Sequence, residues 1–261
     1  MKAKRRIGPG SVGVWMCSVS LLLPPAAGAA PVDLGPTRSL ETRDTDDLAR
    51  LRTLLAEREQ ELEAARGRLR AIDDAEALLE RARELGILEV LRSSMLTASA
   101  QRRVAMAIVR EADANGVDPI LVVAIIRTES AFEPHAVSEM GAMGLMQMMP
   151  TTGTALAQRR GTALRHVRTL FDAELNIELG TSYLAALLRE FGTTEDALVA
   201  YNAGPRVARW MLRNPAARAR FVAGYPRAVL VEWRRLLARR PEAPPGGVPA
   251  VVAERRLTAP P

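Results

Sequence analysis

Residues 129–147 read ESAFEPHAVSEMGAMGLMQ: a carboxylate at Glu129, a turn through Pro134, and a glycine-rich approach to Gly144-Leu145-Met146-Gln147. The segment ahead of it is apolar. Asp118 stands where a helix N-cap belongs, and Pro119 stands at the first helical position, where a missing N–H costs nothing. Ile120 to Ile126 is apolar nearly all round, which predicts a buried central helix. The pattern places Glu129 about three turns along that helix and has Pro134 stop it.

A helix apolar on every side needs other helices around it, and the neighbouring sequence supplies them. Val104, Ile108 and Ala112 mark one helix, ended by Asn115-Gly116. Pro150 opens another through Ala157. Ile177, Gly180, Leu184, Leu187 and Phe191 line one face of a third, which Gly192 ends. Thr193 or Thr194 caps a fourth over Asp196–Asn202, closed by Gly204-Pro205, and 216–240 reads as one further Arg-rich helix. No stretch alternates with period two for long enough to read as a strand, so the expected fold class is all-α.

Upstream, Leu48, Leu55, Leu62 and Leu69 recur every seven residues, with Leu51, Arg58, Ala65 and Ile72 three positions after each. This is an a/d seam of about three and a half heptads, interrupted by Arg58 and Ala65. Two readings stand side by side: a solvated amphipathic helix folded back on its own domain, or a short coiled coil that joins another chain. A second helical stretch, Asp74–Leu91, follows an expected break near Asp73-Asp74.

The ends read differently. Lys2, Lys4, Arg5 and Arg6 precede an apolar run, Val12–Leu23, and then small residues in which Ala27-Gly28-Ala29 fits a cleavage site. That is the layout of a secretory signal over 1–30, with an uncleaved anchor as the alternative. Cys17, the one cysteine, lies inside the apolar run after Val14-Trp15-Met16, which is not a lipid-attachment setting; cleavage leaves no thiol. The expected organisation is a signal over 1–30, a flexible lead-in over 31–47, and a helical, coiled-coil-like segment over 48–95. A helical catalytic domain over 101–215, the helix 216–240 and a Pro-rich disordered tail over 241–261 complete it.

Charge is uneven. The first thirty residues carry four Lys/Arg and no acid, 31–100 carry 11 basic against 15 acidic residues, and 101–261 carry 21 against 15. The basic back half suits an anionic polymer such as a cell wall. No basic stripe interleaves with aromatics, so nucleic acid is not expected as a partner. No metal cluster and no cofactor pattern is present in the sequence, and His135 and His166 stand far apart.

The chemistry centres on Glu129. A carboxyl held against Ile125 and Ile126 at a helix C-terminus resists ionising and keeps a proton near neutral pH, as a general acid must. Glycosidic cleavage commonly uses two carboxylates. Here the other candidates, Glu133 and Glu139, lie in the turn with no apolar setting, which points to a single carboxyl serving as acid and then base. Gly141 and Gly144 let backbone approach a sugar, and Gln147 matches an amide or hydroxyl partner. Met143, Met146, Met148 and Met149 form either a soft wall for a sugar face or plain core. Ser138 offers a hydroxyl or a local turn bond, Tyr201 a ring with a hydroxyl that orients a carboxyl, and Asn202 an amide or a helix C-cap.

Together these stretches resemble the catalytic domain of the soluble lytic transglycosylases, relatives of goose-type lysozyme. The resemblance rests on Glu129-Ser130-Ala131-Phe132, Ala136-Val137-Ser138, Gly141 to Gln147 through Pro150, Asn176-Ile177 with Gly180 and Tyr183, and Ala200 to Pro205, in that order, over about 104–212. It implies a lysozyme-like helical domain that cleaves the β-1,4 bond between N-acetylmuramic acid and N-acetylglucosamine in peptidoglycan. It also implies that Glu129 is the lone acid/base, that the muramyl C6 hydroxyl closes a 1,6-anhydro ring in place of water, and that Ser130 is structural. Ser138, Met146, Gln147, Tyr201 and Asn202 are the expected substrate-binding residues. The helix start at Thr151-Thr152-Gly153-Thr154 departs from the family's usual Thr-Ala. The implied partner is the glycan strand, in the periplasm or cell envelope of a bacterium, with self-association or an envelope protein partner through 48–95. A hydrolytic muramidase on the same fold and a non-catalytic wall-binding protein are the alternatives.

Overall fold

The structure, a computed structural model, describes residues 38–161 and 164–239, with side chains from Thr45 onward. The expected signal and the Pro-rich tail lie outside these residues. The described chain is all-α, with two isolated bridges, Val137 to Met143 and Met143 to Met148, as its extended pairings.

The chain divides into two compact units, Met1–Glu61 and Leu62–Pro261. Helix α1, Arg38–Glu84, supplies every described residue of the first. It starts inside the expected lead-in and runs without a break at Asp73-Asp74, so the two upstream helical stretches are one. Gly67 does not interrupt it, since one glycine costs a helix only about 1 kcal/mol relative to alanine. Pairs such as Arg58 to Glu61 at 2.6 Å and Arg66 to Glu63 at 2.7 Å each add a few tenths of a kcal/mol. Every described side chain from Thr45 to Asp74 is exposed.

In the second unit the last turns of α1 enter the core through Leu78 and Ala82. There follow α2 (Ile87–Leu91), α3 (Ala98–Asn115), α4 (Pro119–Ser130) and α5 (Pro150–Arg159), then a short 3-10 helix, Val167–Phe171. The remaining elements are α6 (Ala173–Phe191), α7 (Thr194–Ala203), α8 (Pro205–Leu212), α9 (Pro215–Val222) and α10 (Tyr225–Leu237). The caps expected from sequence form. Asp118 Oδ1 accepts from the Ile120 N–H at 2.8 Å, Thr193 Oγ1 accepts from Asp196 N–H at 3.1 Å, and Gly116 and Gly192 end α3 and α6 with φ of 67° and 77°.

α4 is the central helix. Ile120 to Ile126 are all buried, packed by α3 and α10, while α6 packs on α3 and α7. Each large aliphatic side chain buried this way stabilises the fold by about 1.5–3 kcal/mol, which explains why the sequence there carries no polar face.

Two further expectations change. α4 ends at Ser130, four residues before Pro134, because Ala131 (φ 49°) and Phe132 (φ 68°) adopt left-handed backbone and take the chain out of the helix. The single helix expected over 216–240 is two. Pro226 lacks an N–H and cannot continue the ladder of α9, so the chain turns at Ala223-Gly224 and restarts as α10. α10 then lies along α4, burying Val229, Leu230 and Leu236. Its Trp233 Nε1 donates to Asp118 Oδ2 at 3.0 Å. The carboxylate that caps α4 therefore also anchors α10, and the core extends past the expected boundary at 215.

Candidate active site

Glu129 occupies the last turn of α4 and is mostly buried. Burial raises its pKa from 4.5 to about 7, against a smaller lowering by the Tyr225 hydroxyl. That hydroxyl is buried and close enough to lower the carboxyl's pKa, yet it falls short of the geometry of a full hydrogen bond. A buried polar atom left so is uncommon.

Tyr201 stands on the other flank. Its hydroxyl donates to the Met146 carbonyl at 2.8 Å. Its pKa is pushed well up, first by burial, then by the charges of Glu129 and Tyr183. Tyr183 packs against it with ring centroids 5.6 Å apart. Of the three tyrosines in the chain, Tyr201 and Tyr225 feel the Glu129 charge, and Tyr183 packs on Tyr201.

A pocket of about 200 Å³ opens beside Tyr201, lined by Gln147, Met149, Thr152, Tyr183 and Asn202 among others. Glu129 is not one of its walls. Tyr201 connects the two, because its ring lines the pocket while its hydroxyl feels the Glu129 charge. A cavity of about 300 Å³ lies elsewhere on α4, lined by Leu85, Ile120, Val123, Arg127 and Leu236, and holds none of the expected site residues.

The segment Gly141–Gln147 is held by a buried amide. Asn176 accepts from Met146 N–H at 2.7 Å through Oδ1 and donates through Nδ2 to the carbonyls of Met143 (2.9 Å) and Leu170 (2.8 Å). Gly144, at φ 79°, passes so close to Asn176 that a Cβ would stand 2.5 Å from the Leu170 carbonyl. Ser130 Oγ reaches the Leu145 carbonyl at 2.8 Å, tying the end of α4 to the same segment. Ser130 is thus structural.

The expected residues separate. Gln147 lines the pocket with left-handed backbone (φ 48°). Its Nε2 donates to the Ala136 and Gly144 carbonyls at 3.2 and 2.9 Å, leaving Oε1 as the acceptor without a partner among the described residues. Asn202 lines the pocket and is exposed; Gly204, not Asn202, caps α7. Ser138 Oγ accepts from Ala142 N–H at 3.0 Å, which braces the turn through Gly141, and it does not line the pocket. Met146 does not line this pocket: its side chain is fully buried against Gly180 and Thr181. What it presents is the carbonyl that fixes Tyr201. Met143 and Met148 are also buried, so of the four methionines Met149 is the one that reaches solvent. Glu133 and Glu139 are both exposed.

Sequence reasoning missed Tyr225, and it passed over Tyr183 as a pocket wall. The usable signal was the scarcity of tyrosine in an aromatic-poor chain.

Residues 106–221 match the model of a family described as the Transglycosylase SLT domain. The match ends four residues before Tyr225. Over 102 residues the chain is 43% identical to the soluble lytic murein transglycosylase of Salmonella typhimurium, covering 38% of this chain and 16% of that protein. It is 46% identical over 78 residues to the membrane-bound lytic murein transglycosylase C of Serratia proteamaculans, covering 29% and 22%. It is 38% identical over 93 residues to the transglycosylase of Enterobacteria phage PRD1, covering 36% and 32%. The chain thus spans less than a third of the length of each of these relatives.

Proposed function

We propose, taking residues 106–221 as a transglycosylase SLT domain, that this protein is an exported peptidoglycan lytic transglycosylase with Glu129 as its single acid/base. The observation that carries the reading is a mostly buried carboxyl with a pKa of about 7, while the nearby candidates Glu133 and Glu139 are exposed. A carboxyl poised at about 7 holds a proton on roughly half the molecules at neutral pH, the condition under which one group can both give and take it.

Protonated Glu129 donates to the bridging oxygen of the β-1,4 bond between N-acetylmuramic acid and N-acetylglucosamine as that bond breaks. The carboxylate left behind takes the proton of the muramyl C6 hydroxyl, whose oxygen closes the 1,6-anhydro ring. The nucleophile is tethered, so its delivery costs little entropy. Burial that excludes water also disfavours hydrolysis as the competing outcome. Gln147 Oε1 and the Asn202 amide offer an acceptor and donors to the sugar substituents. Tyr201, fixed by the Met146 carbonyl, keeps one wall of the pocket beside Glu129. The site of action is the periplasm or cell envelope, with glycan strands as the partner and residues 1–30 as the export signal.

Mass spectrometry of purified peptidoglycan digested with the protein tests this. Muropeptides with anhydro ends, one water lighter than hydrolysed ends, are the expected product, and Glu129→Gln should release none. Hydrolysed ends would identify a muramidase instead. Undiminished release by the variant would remove Glu129 from the chemistry.

A further inference from the structure

Helix α1 presents an apolar seam to solvent. Leu48, Leu51, Leu55, Leu62, Leu69 and Ile72 are all exposed, and even the most covered of them, Leu62, keeps 50% of its surface. With Leu48 at position a, these fill the a and d positions of a heptad, joined by Arg58 and Ala65 at d. The span is 25 residues of uninterrupted helix, about 37 Å at 1.5 Å per residue. A row of large aliphatic side chains held in water over that length is covered in a stable assembly.

We propose that the occupant is a second copy of this chain, paired parallel and in register as a two-stranded coiled coil over residues 48–72. The flanking charges select it. The g positions are Asp47, Leu54, Glu61 and Arg68, and the e positions are Arg52, Glu59, Arg66 and Asp73. In a parallel in-register pair each g residue lies beside the e residue five positions further along the partner helix, and these contacts set partner and orientation. The three charged pairings are then Asp47 with Arg52, Glu61 with Arg66 and Arg68 with Asp73, all of opposite sign. An antiparallel pair that keeps the same apolar layers matched sets e against e and g against g. It brings Arg52 to Arg66, Glu59 to Glu59 and Glu61 to Glu61, all of like sign. A sequence indifferent to pairing has no reason to sort its charges so completely between the two orientations.

Arg58, the polar residue at d, meets its own counterpart in the parallel pair. Each guanidinium is already held by Glu61 of its own helix at 2.6 Å, which offsets the like charge. A polar residue at one core position costs some stability and fixes the register. Past Ile72 the seam ends, since the next a position is Glu76, and the side chains that enter the core of the chain's own second unit, Leu78 and Ala82, stand at c and g.

Cysteine scanning on the full chain tests register and orientation. In a Cys17→Ser background, Leu48→Cys and Leu69→Cys place the new thiols at a positions. Facing a positions of a parallel pair come close enough for a disulfide, whose Cα atoms stand about 4.4–6.8 Å apart. Both variants should form a disulfide-linked dimer on mild oxidation, and Thr53→Cys, at the outward f position, should not. The antiparallel pair separates each of the two a positions from its own copy, so absence of both cross-links overturns the proposal, as does equal cross-linking at 53. Sedimentation adds a charge test: Arg68→Glu should weaken dimerisation by about tenfold, and adding Asp73→Arg should restore it. A monomer at all concentrations, with the helix folded on its own domain, or a complex with a different envelope protein only, also overturns it.

Discussion

Glu129→Gln should make the protein more stable at pH 8 and leave its stability at pH 4 nearly unchanged. The carboxyl has an ordinary pKa of 4.5 in the unfolded chain and about 7 in the folded one. Between these values the folded state binds the proton more tightly, so stability falls as pH rises, and above about pH 7 the loss is complete. Each pKa unit corresponds to about 1.36 kcal/mol, so the ionised carboxylate costs the native state about 3 kcal/mol at pH 8. Glutamine keeps nearly the same shape and has no charge to desolvate, so it escapes that cost. Because some solvent still reaches Glu129, about 3 kcal/mol is an upper bound, and 1–3 kcal/mol is the expected range. Urea unfolding of wild type and variant at pH 4 and pH 8 measures it, since every other titrating group cancels in the difference. Near-zero differences at both pH values would refute the burial argument, and with it the reason Glu129 can hold a proton. A variant destabilised at pH 8 would mean the carboxylate is stabilised in the fold by groups not identified around it.

Other residues give sharper local tests. Tyr225→Phe removes the hydroxyl that holds the Glu129 pKa down, so the basic limb of the pH profile of kcat/KM should move to higher pH, by less than about one unit because no aligned hydrogen bond is lost. The same variant removes a buried oxygen with no formed bond, so its thermal stability should hold or rise. Tyr201→Phe strands the Met146 carbonyl and should cost about 1–3 kcal/mol in urea unfolding as well as lowering muropeptide release. Gly180→Ala places a Cβ 2.5 Å from the Met146 sulfur and should cost about 1–3 kcal/mol, with release falling because Met146 carries the carbonyl that fixes Tyr201. Full stability in that variant would show that Met146 can move without consequence.

Helix α4 was readable because its signals are local: Asp118, Pro119 and an apolar run need nothing beyond their own sequence to specify a capped, buried helix. The glycines at 116 and 192 were readable for the same reason. The exit from α4 was not. Ala131 and Phe132 adopt left-handed backbone that neither residue prefers, imposed by the packing of Phe132 and by the Ser130 bond to Leu145. The same tertiary demand sets Gln147 at φ 48°. At the site, Glu129, Gln147 and Tyr201 followed from chemistry and resemblance. The burial of Met146 was not legible, because a methionine on a Gly-rich segment reads the same whether its thioether lines a cleft or fills the core. Tyr225 was hidden because its pairing with Glu129 spans nearly a hundred residues and depends on how α10 returns along α4. The break at Gly224 is legible in Pro226, although the Arg-rich stretch around it reads as continuous.

That return has a consequence for how the molecule comes into being. α10 touches α4 near both ends, through Trp233 on Asp118 and Tyr225 against Glu129, so one flank of the acid is closed by a helix that lies far downstream of it in the chain. A nascent chain, or one truncated by proteolysis ahead of Gly224, carries every recognisable motif and yet leaves Glu129 open to water on that flank, free to relax toward an ordinary, fully ionised carboxylate. A cut between α9 and α10 would therefore alter the setting of the carboxyl without touching a residue of the matched segment.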